Sequence, residues 1–176
     1  VDARLHHLQR ETKLVNPTDR LALLQEFYRE KAALFLRHQA GAESVSAYDS
    51  NNAYQYVLAR EDAHLQWLRR AIEELGASAG ELPLRSPLAS GSTAEAARTL
   101  AGEDARTAAE FLARWQPRVA AMTHARDRKM LELVLGEVAE HQRFFSQAAE
   151  GSVDLLGRRP DGAGTGGGVL PRRWVE

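Results

Sequence analysis

The stretch LAREDAHLQWLRRAIEELG, residues 58–76, decides the fold. Leu58, Leu65, Leu68 and Ile72 recur at helical spacing and mark one apolar face. Glu61 and His64, three residues apart, lie on or beside that face. Burying ionisable groups without a partner is costly, so a core-facing helix does not give them two central positions for nothing. The stretch predicts an amphipathic helix that carries part of a polar site.

The rest of the chain fits a helical setting. It has 176 residues, enough for one domain with a real core, and 44% of them are apolar. Ala, Leu, Glu and Arg dominate, and no β-branched run alternates over the length of a strand, so the chain reads as all-α. The formal charge of -1 gives no basic excess for nucleic acid. The absence of cysteine removes disulfides, thiolate metal sites and iron–sulfur clusters, leaving carboxylates and imidazoles as the only strong metal donors. No apolar run approaches the roughly 18 residues of a membrane span, and VDARLHHLQRE at the start has no apolar signal region. The expected location is the cytoplasm, with no membrane partner.

Working outward from residues 58–76, the helix containing them starts near Asp49 or Asn51 and ends at Gly76. Before it, GAESVSAYDSNN reads as a loop, and NPTDR starts a preceding helix with Asn16 as cap and Pro17 at its first position, running to about Ala40. A short helix is expected over residues 2–14. After Gly76, ASAGELPLRSPLASGS is a long connection of 16 residues, rare without a task. Ser92 followed by Glu95 is a capping-box pattern that opens a third helix, which reaches toward Met122 with a kink expected at Pro117. A fourth helix covers about 124–149. GRRPDGAGTGGG then reads as a flexible linker before the tail VLPRRWVE. Three segments result: 1–15 as an N-terminal extension, 16–150 as a four-helix bundle and 151–176 as linker and tail. An extended 16-residue connection spans about 50 Å, more than the ~38 Å of a 25-residue helix. It can return along the whole bundle, giving two antiparallel hairpins joined by one crossover rather than a simple up-down-up-down bundle.

Di-metal bundles take a Glu from each of two helices and a Glu-x-x-His from each of the other two. Glu61–His64 matches one such half-motif, though a buried pair that satisfies only itself is the bland alternative. In the first helix Glu30 has Phe27, Ala33 and Leu34 as neighbours and faces the core more than Glu26, which reads as a solvated carboxylate. The third helix offers Glu103, Asp104 and Glu110. Glu103 lies at the right height, Asp104 has apolar neighbours but a shorter stem, and Glu110 sits between Arg106 and Arg114 as in a surface ion pair. In the fourth helix His141 precedes Phe144 and Phe145 as His64 precedes Trp67 and Leu68, which puts Val138 where a ligand Glu belongs. Glu137, four residues before His141, shares its face; an alternative alignment uses Glu137 with Glu140. Tyr28, Tyr54 and Tyr56 read as core or rim aromatics, and His38 as a cation suited to the end of its helix.

With EDAHLQWL and the two-hairpin layout, residues 17–149 resemble the ferritin-like superfamily, nearer its rubrerythrin and bacterioferritin branches. That resemblance implies a carboxylate-bridged pair of iron (or manganese) ions per chain reacting with dioxygen, peroxide or ferrous iron. Its implied ligands are Glu30, Glu61, His64, Glu103, Glu137 and His141, with Glu61 and Glu137 as bridges. EVAEHQRFF departs from Glu-x-x-His, which keeps open the alternative of a degenerate site in a structural or interaction module. A homodimer or higher homo-oligomer is the expected assembly, and the tail has the form of a peptide that docks on a partner subunit or a protein compartment.

Overall fold

A computed structural model describes residues 17–82, 93–152 and 155–156. All regular structure among them is helical: α1 (Pro17–Ser44), α2 (Tyr48–Glu73), α3 (Ala94–Ala120) and α4 (Ala125–Ala149). The expected helix over 2–14, the Asn16 and Ser92 caps, the middle of the crossover and the tail beyond residue 156 lie outside the described residues.

The helix ends follow local chemistry. Thr93, next to the expected cap, accepts the Ala96 amide at 3.1 Å and opens α3. His124 does the same for Asp127 at the start of α4, at 3.3 Å. Beyond α2 the chain reverses through Gly76 at φ +77°, a left-handed conformation that favours glycine. Pro117 lies inside α3, within its last turn.

α1 runs further than the sequence suggests, to Ser44 instead of about Ala40. Gly41 explains why a glycine sits inside it: a Cβ there would stand 2.8 Å from Tyr54 Cε1, so α2 approaches closely at this point. His38 is consequently two turns from the helix end and is not the end-capping cation it resembles in sequence.

α1 packs on α2 and α3 packs on α4 as two hairpins, with α1 also against α3 and α2 against α4. Lateral pairs fix the directions. Glu26 with Arg118 and Arg37 with Asp104 make α1 and α3 antiparallel. Arg60 with Glu137 and Glu74 with Arg126 do the same for α2 and α4. α2 and α3 therefore run in the same direction, and the segment between Glu73 and Ala94 joins opposite ends of the bundle.

The interior is layered. A large apolar cluster fills one end, with Leu24, Phe27, Leu68, Ile72, Phe111, Trp115, Leu131 and Val134 among its members. A smaller one, including Val45, Tyr54, Val57, Phe144 and Phe145, fills the other. Between them lies a layer of buried polar side chains: Lys31, His38, Glu61, His64, Asp104 and His141. No helix among the described residues is long and apolar enough to cross a membrane.

Candidate functional site

Glu61 is the centre of the polar layer. It is fully buried, and its carboxylate accepts a hydrogen bond at 2.5 Å from Lys31 Nζ on Oε1. On Oε2 it meets His38 Nδ1 at 2.8 Å. His141 Nδ1 faces Oε1 from α4 at 3.8 Å, beyond hydrogen-bond range. Lys31 and His38 are seven residues apart, two turns of α1, which places both on the stripe that begins at Leu24. Antiparallel packing of α1 on α2 then puts Glu61 between them.

The electrostatics follow from burial and charge. Burial pulls the Lys31 ammonium below its ordinary pKa, and the Glu61 carboxylate opposes that pull. Burial would raise the Glu61 carboxyl, but the charges of His38 and Lys31 outweigh it and hold Glu61 well below the usual carboxylate range. Lys31 and Glu61 are therefore a buried ion pair sealed between two apolar layers.

His64 lies beside this centre. Its Nε2 meets Glu137 Oε2 at 2.8 Å, and Arg60 clamps the same carboxylate from the rim. Burial, followed by the nearby Lys31 charge, pushes the imidazole pKa down to about 4. The Glu137 carboxyl is held below its ordinary value, since Arg60 and His64 together outweigh its desolvation. The rings of His64 and His141 lie nearly parallel, 6.4 Å apart. Among the described residues, three buried imidazole nitrogens have no hydrogen-bond partner: Nε2 of His38 and Nδ1 of His64 and of His141.

A second polar knot joins α1, α2 and α3. Asp104, fully buried, accepts from Arg37 Nε at 2.5 Å and from the Tyr54 hydroxyl. Burial raises the Asp104 carboxyl above its ordinary value despite its cationic neighbours. Burial and the adjacent Asp104 charge raise the Tyr54 phenol as well. The His38 and Tyr54 rings both lie against Phe145, so this knot adjoins the Glu61 centre.

The structure thus brings four of the six expected ligands, Glu61, His64, Glu137 and His141, to one level of the bundle. The other two stand apart. Glu30 points to α3, where it accepts from Trp115 Nε1 and Arg114 Nη1, each at 2.8 Å. Glu103 is about half exposed and accepts from Arg37 at 3.0 Å. Of the three carboxylates weighed on the third helix, Asp104 is the inward one. Glu110 pairs with Arg106 on the surface at 3.0 Å, as its spacing suggests. Glu26 likewise pairs at the rim, with Arg118. Tyr28 is plain core and Tyr56 a rim aromatic, edge-on to Phe144. Among the described residues, no group of three or more His, Asp or Glu side chains is arranged to hold a metal ion. Lys31 and His38 are central residues that the sequence reading did not place here.

The chain is an all-α four-helix bundle of two hairpins. No protein-family model matches it, no curated protein is significantly similar to it, and no solved structure matches it.

Proposed function

We propose that this chain is a ferritin-like bundle in which an internal ion-pair network stands where the di-metal centre belongs, and that it acts as a structural or interaction module. The observation that carries the reading is the Lys31 ammonium, 2.5 Å from Glu61 and fully buried. In a di-metal bundle each helix contributes a carboxylate and the metals supply the positive charge. Here α1 contributes an ammonium to the centre, while its Glu30 is bound to α3. Among the described residues the carboxylates of this layer are Glu61, Glu137 and Asp104, and Lys31, Arg60 and Arg37 already neutralise them. This donor set does not fit two iron or manganese ions, whose combined charge of about +4 needs anionic ligands that are not already spent on protein cations. The parallel course of α2 and α3, with a crossover between opposite ends, supports the ferritin-like layout.

Such a module acts through its surface. Tyr56, Trp67 and Leu133 are large apolar side chains exposed on α2 and α4, and a second copy of the chain is the partner this reading expects. Metal analysis tests the central point. Full-length protein, purified without chelator and incubated anaerobically with ferrous iron, should retain no stoichiometric iron after desalting. Two irons per chain would overturn the reading and restore a di-iron oxidase or peroxidase.

A further inference from the structure

We propose that Lys31 and Glu61 form an intramolecular isopeptide bond, an amide between Nζ of α1 and Cδ of α2 that cross-links the first hairpin through its core. It rests on the reading of Lys31 as the resident cation of the site, since a metal on Glu61 would displace the amine.

Distance is the first argument. Nζ lies 2.5 Å from Oε1, with both side chains fully buried. An amine that close to a carboxyl oxygen has the carboxyl carbon within about 3–3.5 Å, the separation of a near-attack arrangement. Helix packing on both sides holds the two groups there.

Medium is the second. The pair sits between two apolar clusters, which keep bulk water away from both side chains. Burial draws the Lys31 ammonium below its ordinary pKa and so favours the free amine that adds to Cδ, while Glu61 stays ionised until its departing oxygen is protonated. Water, the product, leaves a site that does not readily readmit it.

The histidines supply the third. His38 Nδ1 sits at 2.8 Å from Oε2, where negative charge develops when Nζ adds to Cδ. His141 Nδ1 is buried without a hydrogen-bond partner and faces Oε1, the departing oxygen, at 3.8 Å. In this proposal His141 carries a proton from Nζ to Oε1, closing the 3.8 Å gap as the Cδ–Oε1 bond lengthens. The balance closes without any co-reactant. The Nζ–Cδ bond forms, the Cδ–Oε1 bond breaks, and one water leaves with two of the three ammonium protons. This gives His141 a role that its unsatisfied nitrogen otherwise lacks.

Intact-mass spectrometry of the denatured full chain decides the matter. The expected mass is lower than that of the sequence by one water. Trypsin should then release a branched peptide, Glu30–Arg37 joined to Glu61–Arg69, uncut after Lys31. Lys31→Arg should show its full sequence mass, and His141→Phe should slow the conversion in freshly refolded protein. A wild-type chain at full mass and free of metal overturns the cross-link and leaves the proposed function standing. Full mass together with bound iron overturns both. A water loss that persists in Lys31→Arg, or that maps to other peptides, also overturns the cross-link.

Discussion

Asp104 and Glu103 are adjacent acids on α3 that both bind Arg37, yet their removal should have very different consequences. Asp104 is fully buried, and its two oxygens take Arg37 Nε at 2.5 Å and the Tyr54 hydroxyl. Asp104→Ala strands the buried Tyr54 hydroxyl, which costs about 1–3 kcal/mol. It also opens a space of a few atoms in the core, for about 1 kcal/mol more. Arg37 can turn to Glu103 and to water, so its share is small, within about 1 kcal/mol. The expected loss is about 2–4 kcal/mol. Glu103→Ala removes a half-exposed partner of Arg37 and should cost less than about 1 kcal/mol. Urea unfolding followed by circular dichroism at 222 nm measures both, and the difference should also appear as a gap of about 5–10 °C in Tm. Adding Tyr54→Phe to Asp104→Ala removes the stranded hydroxyl. The double variant should therefore lose less than the two single losses combined, with a coupling of about 1–2 kcal/mol. Equal losses for Asp104→Ala and Glu103→Ala, or strict additivity with Tyr54→Phe, would refute the assignment of Asp104 as the inward acid.

Two further outcomes follow from the same layer. His64 keeps a pKa of about 4 in the folded state against 6.5 ordinarily, so below pH 6.5 the unfolded chain takes up a proton that the native imidazole refuses. Stability should fall by about 3 kcal/mol as pH drops from 6.5 to 4, with no contribution from this group above 6.5, and His64→Gln should flatten that part of the profile in urea titrations. Gly41→Ala places a Cβ 2.8 Å from the Tyr54 ring, and should cost about 1–3 kcal/mol by pushing Tyr54 off Asp104; a variant as stable as wild type in thermal melts would contradict the close approach of α1 and α2.

How much of this was legible in the sequence depended on which coordinate was being read. Height along the bundle came through well, because loop positions fix it. Glu61, His64, Glu137 and His141 do share a level, and the helix directions match a crossover that returns along the bundle. Rotation about each helix axis was harder, since adjacent residues differ by about 100°. Glu103 and Asp104 have nearly the same height, and only the apolar neighbours Leu100, Ala108 and Phe111 turn Asp104 inward. The same criterion, applied strictly to α1, selects Lys31 over Glu30. Phe27, Tyr28, Leu34 and Phe35 surround Lys31 on the stripe, whereas Arg29 and Glu30 lie toward the edge.

Residue type is what hid Lys31. Lysine is almost never fully buried unless paired, so a reading that judges residues singly turns it outward. But burial of a charge is a property of a pair, and the partner here lies 30 residues away on another helix. The question raised by Glu61 in its apolar setting was always a question about the missing positive charge. A metal ion answers it from outside the sequence, and a lysine on the facing stripe answers it from within. The two differ in consequence: a metal brings reactivity, whereas a buried ammonium brings only neutrality or, at this distance, a bond. Hence a Glu-x-x-His on a helix face identifies a buried anion in need of a counter-charge, and only the facing stripes of its neighbours say whether that charge is catalytic.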